Sequence, residues 1–245
     1  MVRIVLVRPR NPENLGAVAR AMRNFGLDEW AIAALGTHDF AAARRVAVHA
    51  EDLLDRPRVV ETLDEAVADC AWVVATSSRR VRGKRRLAPD EVAREALARA
   101  RDGTTAIVFG DERSGLTREE VDRCHDLSAI PSAAAQPSLN LAQAVLVYAW
   151  ELRRVGAEAA SLPGGGGLAP GRPRPAAPPP ARVPGATDAE LARVEEALRI
   201  ALRSGGFLSG PERHAVRDLA TTLRRARLSR REARLWLAAL RTLGR

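Results

Sequence analysis

Along the first 150 positions the apolar residues follow two rhythms in turn. Short, nearly continuous apolar runs at Val2–Val7, Trp30–Ala34, Val59–Val60, Ala71–Ala75, Thr104–Phe109 and Leu127–Ile130 predict buried strands. Between them, apolar positions three and four apart predict helices at Asn14–Phe25, Phe40–Leu54, Leu63–Cys70, Pro89–Arg101 and Thr117–Arg123. Gly26 stops the first helix and Pro89 opens the fourth. Strands that are apolar on both faces and alternate with helices predict an α/β fold on a parallel sheet covered on both sides. A loop from Ile130 to Pro137 follows. Ser138 is then the expected N-cap of a helix whose apolar face is Leu139, Leu141, Ala142, Val145, Leu146 and Ala149.

The pattern changes after residue 155. The stretch 156–187 becomes rich in glycine and proline and is expected to be a linker. Helical spacing returns in 188–245, with helices expected at Asp188–Ser204, Pro211–Ala226 and Ser229–Leu243. Ser209 with Glu212, and Ser229 with Glu232, have capping-box spacing. Leu219, Leu223, Leu228, Leu235, Trp236 and Leu240 are the expected small core. The chain thus divides into an α/β domain (1–155), a linker (156–187) and a basic helical extension (188–245).

Charge sharpens this division. The net charge is +9, yet residues 1–150 carry 21 basic against 21 acidic side chains. Residues 151–187 carry 5 against 2, and residues 188–245 carry 13 against 7. The excess lies entirely in the C-terminal part, which is expected to meet a polyanion such as nucleic acid. Cys70 and Cys124 have no CxxC spacing, and the four histidines are scattered, so neither a disulfide framework nor a metal site is expected. No apolar run approaches a membrane span, and the apolar start reads as a strand and not a signal peptide. The expected setting is the cytoplasm.

Ligands of parallel sheets bind beyond the carboxyl ends of the strands. Four such ends carry small, hydroxyl or charged residues. They are the turn Asn11–Gly16 with Arg20, the run Thr76-Ser77-Ser78, the loop Gly110–Leu116, and the loop after Ile130. Gly110 and Gly115 flank Asp111, Glu112 and Arg113 without the GK[ST] ending of a phosphate loop. The acidic pair suits a ligand with a cationic or hydroxylated part. Arg79, Arg80, Arg82, Lys84, Arg85 and Arg86 crowd the next stretch and form a candidate clamp for a polyanion.

Three of these stretches, NPENLGAVARAMRNFG (11–26), FGDERSGLT (109–117) and IPSAAAQPSLNLAQAV (130–145), resemble motifs 1, 2 and 3 of the SpoU-type ribose methyltransferases of the SPOUT class. The tail from Gly205 to Leu243 is similar to the helical extension of the TrmJ-like branch of tRNA methyltransferases. The resemblance implies a trefoil-knotted α/β domain, a homodimer, and S-adenosylmethionine as methyl donor. It implies a tRNA substrate methylated on a ribose 2′-hydroxyl in the anticodon loop, at nucleotide 32. A sister enzyme acting on ribosomal RNA, or a non-catalytic RNA-binding protein on the same scaffold, is the alternative. Carried over by motif, donor contacts fall on Thr76, Ser77, Ser78, Gly110, Ile130, Pro137, Ser138 and Leu139. Catalytic roles fall on Asn14, Arg20, Glu112, Ser138 and Asn140. A guanidinium keeps its proton far above neutral pH. Arg20 is therefore expected to clamp an RNA phosphate and orient the hydroxyl proton rather than to act as a free base. No metal is required.

Overall fold

The structure is a computed structural model and describes residues 1–36, 39–79, 81, 83–136, 138–161, 185–206 and 212–244. Among the described residues seven strands form one sheet in the order β3-β2-β1-β6-β4-β7-β5, and every pairing between these strands is parallel. The strands are β1 (Val2–Val7), β2 (Trp30–Ala33), β3 (Arg58–Val60), β4 (Cys70–Thr76), β5 (Arg86–Leu87), β6 (Thr104–Phe109) and β7 (Asp126–Ser128). Side chains alternate along each strand, so each supplies two cores. Ile4, Leu6, Trp72, Val74, Ile107 and Phe109 face α1 (Pro12–Asn24), α4 (Pro89–Arg99) and α6 (Leu141–Ser161). Val5, Val7, Val73, Ala75, Ala106 and Val108 face α3 (Leu63–Val67) and α5 (Arg118–Arg123). Arg3, the one charge inside β1, is buried but paired. It donates to the Ala66 carbonyl at 2.9 Å, to Asp69 at 2.6 and 2.9 Å and to Glu29 at 3.0 Å.

Several expectations are corrected. The helix read over Phe40–Leu54 splits into α2 (Phe40–Val46) and a 3-10 turn at Glu51–Asp55. His49 lies between them at φ 63°, a left-handed conformation that an α-helix cannot pass through. Arg86, read as loop, opens the edge strand β5, which is too short to show a period. The N-cap of α6 is Asn140 and not Ser138. The Asn140 Oδ1 accepts from the Ala142 and Gln143 amides at 2.8 and 3.4 Å. Helix α6 then runs unbroken to Ser161.

The tail forms α7 (Asp188–Ser204), α8 (Glu212–Arg225) and α9 (Arg230–Leu243). They share a core of Leu191, Val194, Leu198, Leu223, Leu228, Ala233 and Leu240. Leu219, Leu235 and Trp236, expected inside, are exposed. The Ser229–Glu232 capping box forms, while Ser209 and Pro211 lie outside the described residues. These helices sit against the sheet domain through charge. Asp188 receives Arg123 of α5 at 2.7 Å and Arg224 of α8, and the Ala189 amide donates to the Ala68 carbonyl at 3.2 Å. Among the described residues no helix is long and apolar enough to cross a membrane.

Candidate active site

Strands β4, β6 and β7 end side by side, so the loops after them meet. They enclose a cleft of about 550 Å3, a size that suits a small-molecule ligand. Thr76, Ser77, Ser78, Gly110, Ile130, Ser138 and Leu139, all predicted to contact the donor, line it. Pro137 lies outside the described residues. The Thr76 hydroxyl donates to the Val108 carbonyl at 2.9 Å, and the Ser77 amide to the Ser128 carbonyl at 2.8 Å, which locks β4 between its neighbours. At Gly110 an added Cβ would lie 2.1 Å from the Gly115 carbonyl carbon and 2.3 Å from the Leu116 amide. Space alone therefore demands glycine there. Gly115 demands it through its φ of 67°.

The two carboxylates of this loop turn inward, so they do not wait for a cationic ligand as expected. Asp111 accepts from the Arg113 and Ser114 amides, both at 2.8 Å, and from the Ser114 hydroxyl at 2.6 Å. Burial pushes its carboxyl up, but these hydrogen bonds win and hold it down at about 2. Glu112 accepts from the Arg10 amide at 3.1 Å, the Asn11 amide at 3.2 Å and the Asn14 side chain at 2.8 Å. Burial again pushes up, and these donors leave Glu112 below the usual carboxylate range. Asn14 in turn accepts from Asn140 at 2.9 Å. Motifs 1, 2 and 3 are thus joined by one chain of side chains. Glu112 can only accept, so Asn14 must give it an amide proton. That leaves the Asn14 oxygen for Asn140, and the Asn140 oxygen for the start of α6.

Arg20 stands apart. It is exposed on α1 and does not line the cleft, and among the described residues it has no hydrogen-bond or ion-pair partner. The basic run divides. Arg79 and Arg86 line the cleft, Arg79 reaching the Leu116 carbonyl at 3.3 Å and Arg86 the Ser78 carbonyl at 3.0 Å. Lys84 is held by the Asp122 carbonyl at 3.0 Å and by the Cys124 carbonyl. Burial pushes its ammonium below the ordinary lysine value. Arg85 pairs with Asp126 at 2.6 Å. Lys84 and Arg85 are fastened into the fold and are not the free phosphate ligands that the charge run suggested. Arg80 and Arg82 lie outside the described residues.

Sequence reasoning missed three residues. Arg8, at φ 53°, binds Glu120 and reaches the Gly115 carbonyl at 3.3 Å, bracing the Gly110 loop from behind. Ser128 and Tyr148 form the cleft floor with Phe109. The Ser128 hydroxyl donates to the Leu87 carbonyl at 2.8 Å, so the Tyr148 hydroxyl, 2.6 Å away, donates to Ser128. Burial raises the Tyr148 phenol to about 12, and its ring meets Phe109 edge-on at 5.5 Å. One signal was present: Tyr148 is the only tyrosine of the chain, set in an apolar helix.

Known proteins are similar to this chain. The model of the SpoU rRNA methylase family matches residues 1–150. The tRNA (cytidine/uridine-2′-O-)-methyltransferase TrmJ of Escherichia coli K12 is 43% identical over 154 residues, which are 62% of this chain and 62% of that protein. The match therefore spans less than two thirds of the length of that curated relative. The crystal structure of TrmJ from Zymomonas mobilis ZM4 superimposes with a TM-score of 0.80 at 31% identity, covering 100% of both chains. A probable methylase family protein from Haemophilus influenzae Rd KW20 gives 0.61 at 30% identity, covering 99% of this chain and 95% of that one. A family model that covers the sheet, the cleft and all three linked motifs leads to one conclusion: the chain belongs to the SpoU rRNA methylase family.

Proposed function

We propose that this chain is an S-adenosylmethionine-dependent tRNA methyltransferase that modifies a ribose 2′-hydroxyl in the anticodon loop, at nucleotide 32. The observation that carries the reading is the cleft. Its floor of Phe109, Ile130, Leu139 and Tyr148 suits the flat faces of an aromatic base, and its Thr76–Ser78 rim and Gly110 backbone offer hydrogen bonds to the polar parts of the donor. When bound, the donor supplies a sulfonium methyl already activated for in-line attack by the ribose oxygen. The chain's own residues then have to align and exclude water. The Glu112–Asn14–Asn140 chain holds the cleft's mouth in one geometry. Arg20, which has no partner among the described residues, grips an RNA phosphate and orients the hydroxyl proton. In a homodimer it would serve the partner's cleft, and exposed Leu146 and Trp150 on α6, with Phe25 5.8 Å from Trp150, offer an apolar patch for that contact. The trefoil knot and a cytoplasmic setting belong to the same reading.

Chemistry is assigned to residues 1–155 and substrate selection to 188–245. The ribosomal RNA alternative draws on the name of the family. Against it, the Zymomonas mobilis TrmJ structure matches the chain over its whole length, tail included. The test is mass-spectrometric mapping of ribose methylation after incubating the full chain with donor and unmodified tRNA, alongside calorimetric donor binding. A methyl mark on tRNA is expected, as is donor binding that Gly110→Val abolishes. No affinity of the unaltered chain for the donor would overturn the enzyme reading, and methylation of ribosomal RNA alone would overturn the substrate.

A further inference from the structure

A second cleft, of about 530 Å3, lies at the other end of the sheet. It opens at the amino ends of β4 and β7, where Trp72 and His125 lie, and its far wall is the tail around Gly185, Arg225 and Leu228. At about 3.3 Å per residue along β4, it is ~15 Å from the donor cleft. His125 is nine-tenths buried there. Its Nδ1 accepts from the Val73 amide at 3.0 Å. The ring proton therefore sits on Nε2, which has no acceptor among the described residues. Five arginines line the cleft against three carboxylates. Arg224 is spent on Asp188 and Glu195. Asp126 is saturated by Trp72 at 2.9 Å and by both nitrogens of Arg85. Glu95 is shared by Arg99 and Arg227. Asp102 stands at the rim, and Arg225 is exposed with no ion pair among the described residues.

We propose that this junction between the sheet domain and the C-terminal helices is a phosphate-binding site occupied by the RNA backbone. The donors left over, the Nε2–H of His125 and the guanidinium of Arg225, call for an oxyanion. A neutral imidazole donor beside surplus arginine binds phosphate without adding another buried charge. An extended polyanion can engage both ends of the sheet at once, which a mononucleotide cannot. The site rests on the RNA-methyltransferase reading and adds a docking point remote from the chemistry. It also gives the arginine-rich tail a reason to sit where it does.

Two variants test it in the full chain. Arg225→Ala removes an exposed side chain. His125→Asn keeps an acceptor for the Val73 amide and deletes the Nε2 donor. Both should weaken tRNA affinity several-fold while donor affinity stays unchanged. Arg225→Ala should also flatten the slope of log affinity against log salt by about one. In histidine-labelled protein, inorganic phosphate should shift the His125 ring signals, and tRNA should compete for that shift. Variants that bind tRNA with wild-type affinity and salt slope would overturn this site alone. A phosphate shift that tRNA does not displace would assign the cleft to a small phosphorylated molecule and overturn RNA as its occupant. An unaltered chain that binds no tRNA would bring down the functional reading as well.

Discussion

Asn140 donates its side-chain amide to Asn14 at 2.9 Å across 126 positions of sequence. With Glu112 beyond Asn14, each amide has only one orientation that satisfies all its neighbours. Glu112→Gln replaces an acceptor by a donor facing the Arg10 amide. Losing one acceptor at such a half-buried position costs about 1 kcal/mol. Denaturant unfolding should show that loss, and methyl transfer should fall at least tenfold, on the order of the loss expected when alignment is disturbed. Wild-type stability in this variant would mean that the chain of bonds is not maintained in solution.

Arg20 makes the opposite forecast. An exposed side chain without partners can be removed within about 0.5 kcal/mol of stability. Arg20→Ala should therefore unfold like the unaltered chain and bind the donor equally well, yet transfer no methyl group. Comparison of calorimetric donor binding with tRNA methylation checks this. Near-normal turnover would remove Arg20 from the mechanism.

The Gly110 loop should make the fold sensitive to acid. Asp111 and Glu112 both have folded values below their ordinary ones. Their stabilisation is complete above the unfolded carboxylate values, near pH 4, and is lost as pH falls through the folded values. For Asp111 that window reaches down to about 2. Thermal unfolding followed from pH 6 to pH 2 should show the melting temperature falling below about pH 4. Asp111→Asn should flatten that fall, and an unchanged slope would show that Asp111 is not the group responsible.

Asp188 should govern the docking of the tail. It is buried between Arg123 and Arg224, and Arg224 is itself buried. Removing one partner from such a cluster costs about 3–5 kcal/mol, because the other charges stay buried. Hydrogen exchange in α7, α8 and α9 should accelerate in Asp188→Ala, while donor affinity stays the same. Loss of donor binding in this variant would show that the tail helps to build the cleft.

Much of this was legible in advance, and for identifiable reasons. Strands such as Val2–Val7 and Thr104–Phe109 are buried on both faces, and that alone marks a parallel sheet. Parallel strands then point to their carboxyl ends, which located the loops at Thr76, Gly110 and Ile130 that line the cleft. What escaped depends on partners distant in sequence. Lys84 and Arg85 read as a free charge run because their partners, Cys124 and Asp126, lie about 40 positions away. Arg8 gave no sign of bracing a loop that begins more than 100 positions later. Leu235 and Trp236 obey a helical period, but α9 buries a different stripe, of Ala233 and Leu240. Periodicity shows that a face is apolar and leaves open which face the neighbours cover.

The bonds from Tyr148 to Ser128 and from Ser128 to the Leu87 carbonyl join α6, β7 and β5 through a single hydroxyl. β5 is two residues long and, among the described residues, pairs with β7 alone. If α6 lets go, the Ser128 oxygen loses its donor, and if β5 lets go, the Ser128 hydroxyl loses its acceptor. The floor of the donor cleft should therefore open as one cooperative unit, with the amides of β7 and the first turns of α6 exchanging together rather than fraying from the edge strand inward.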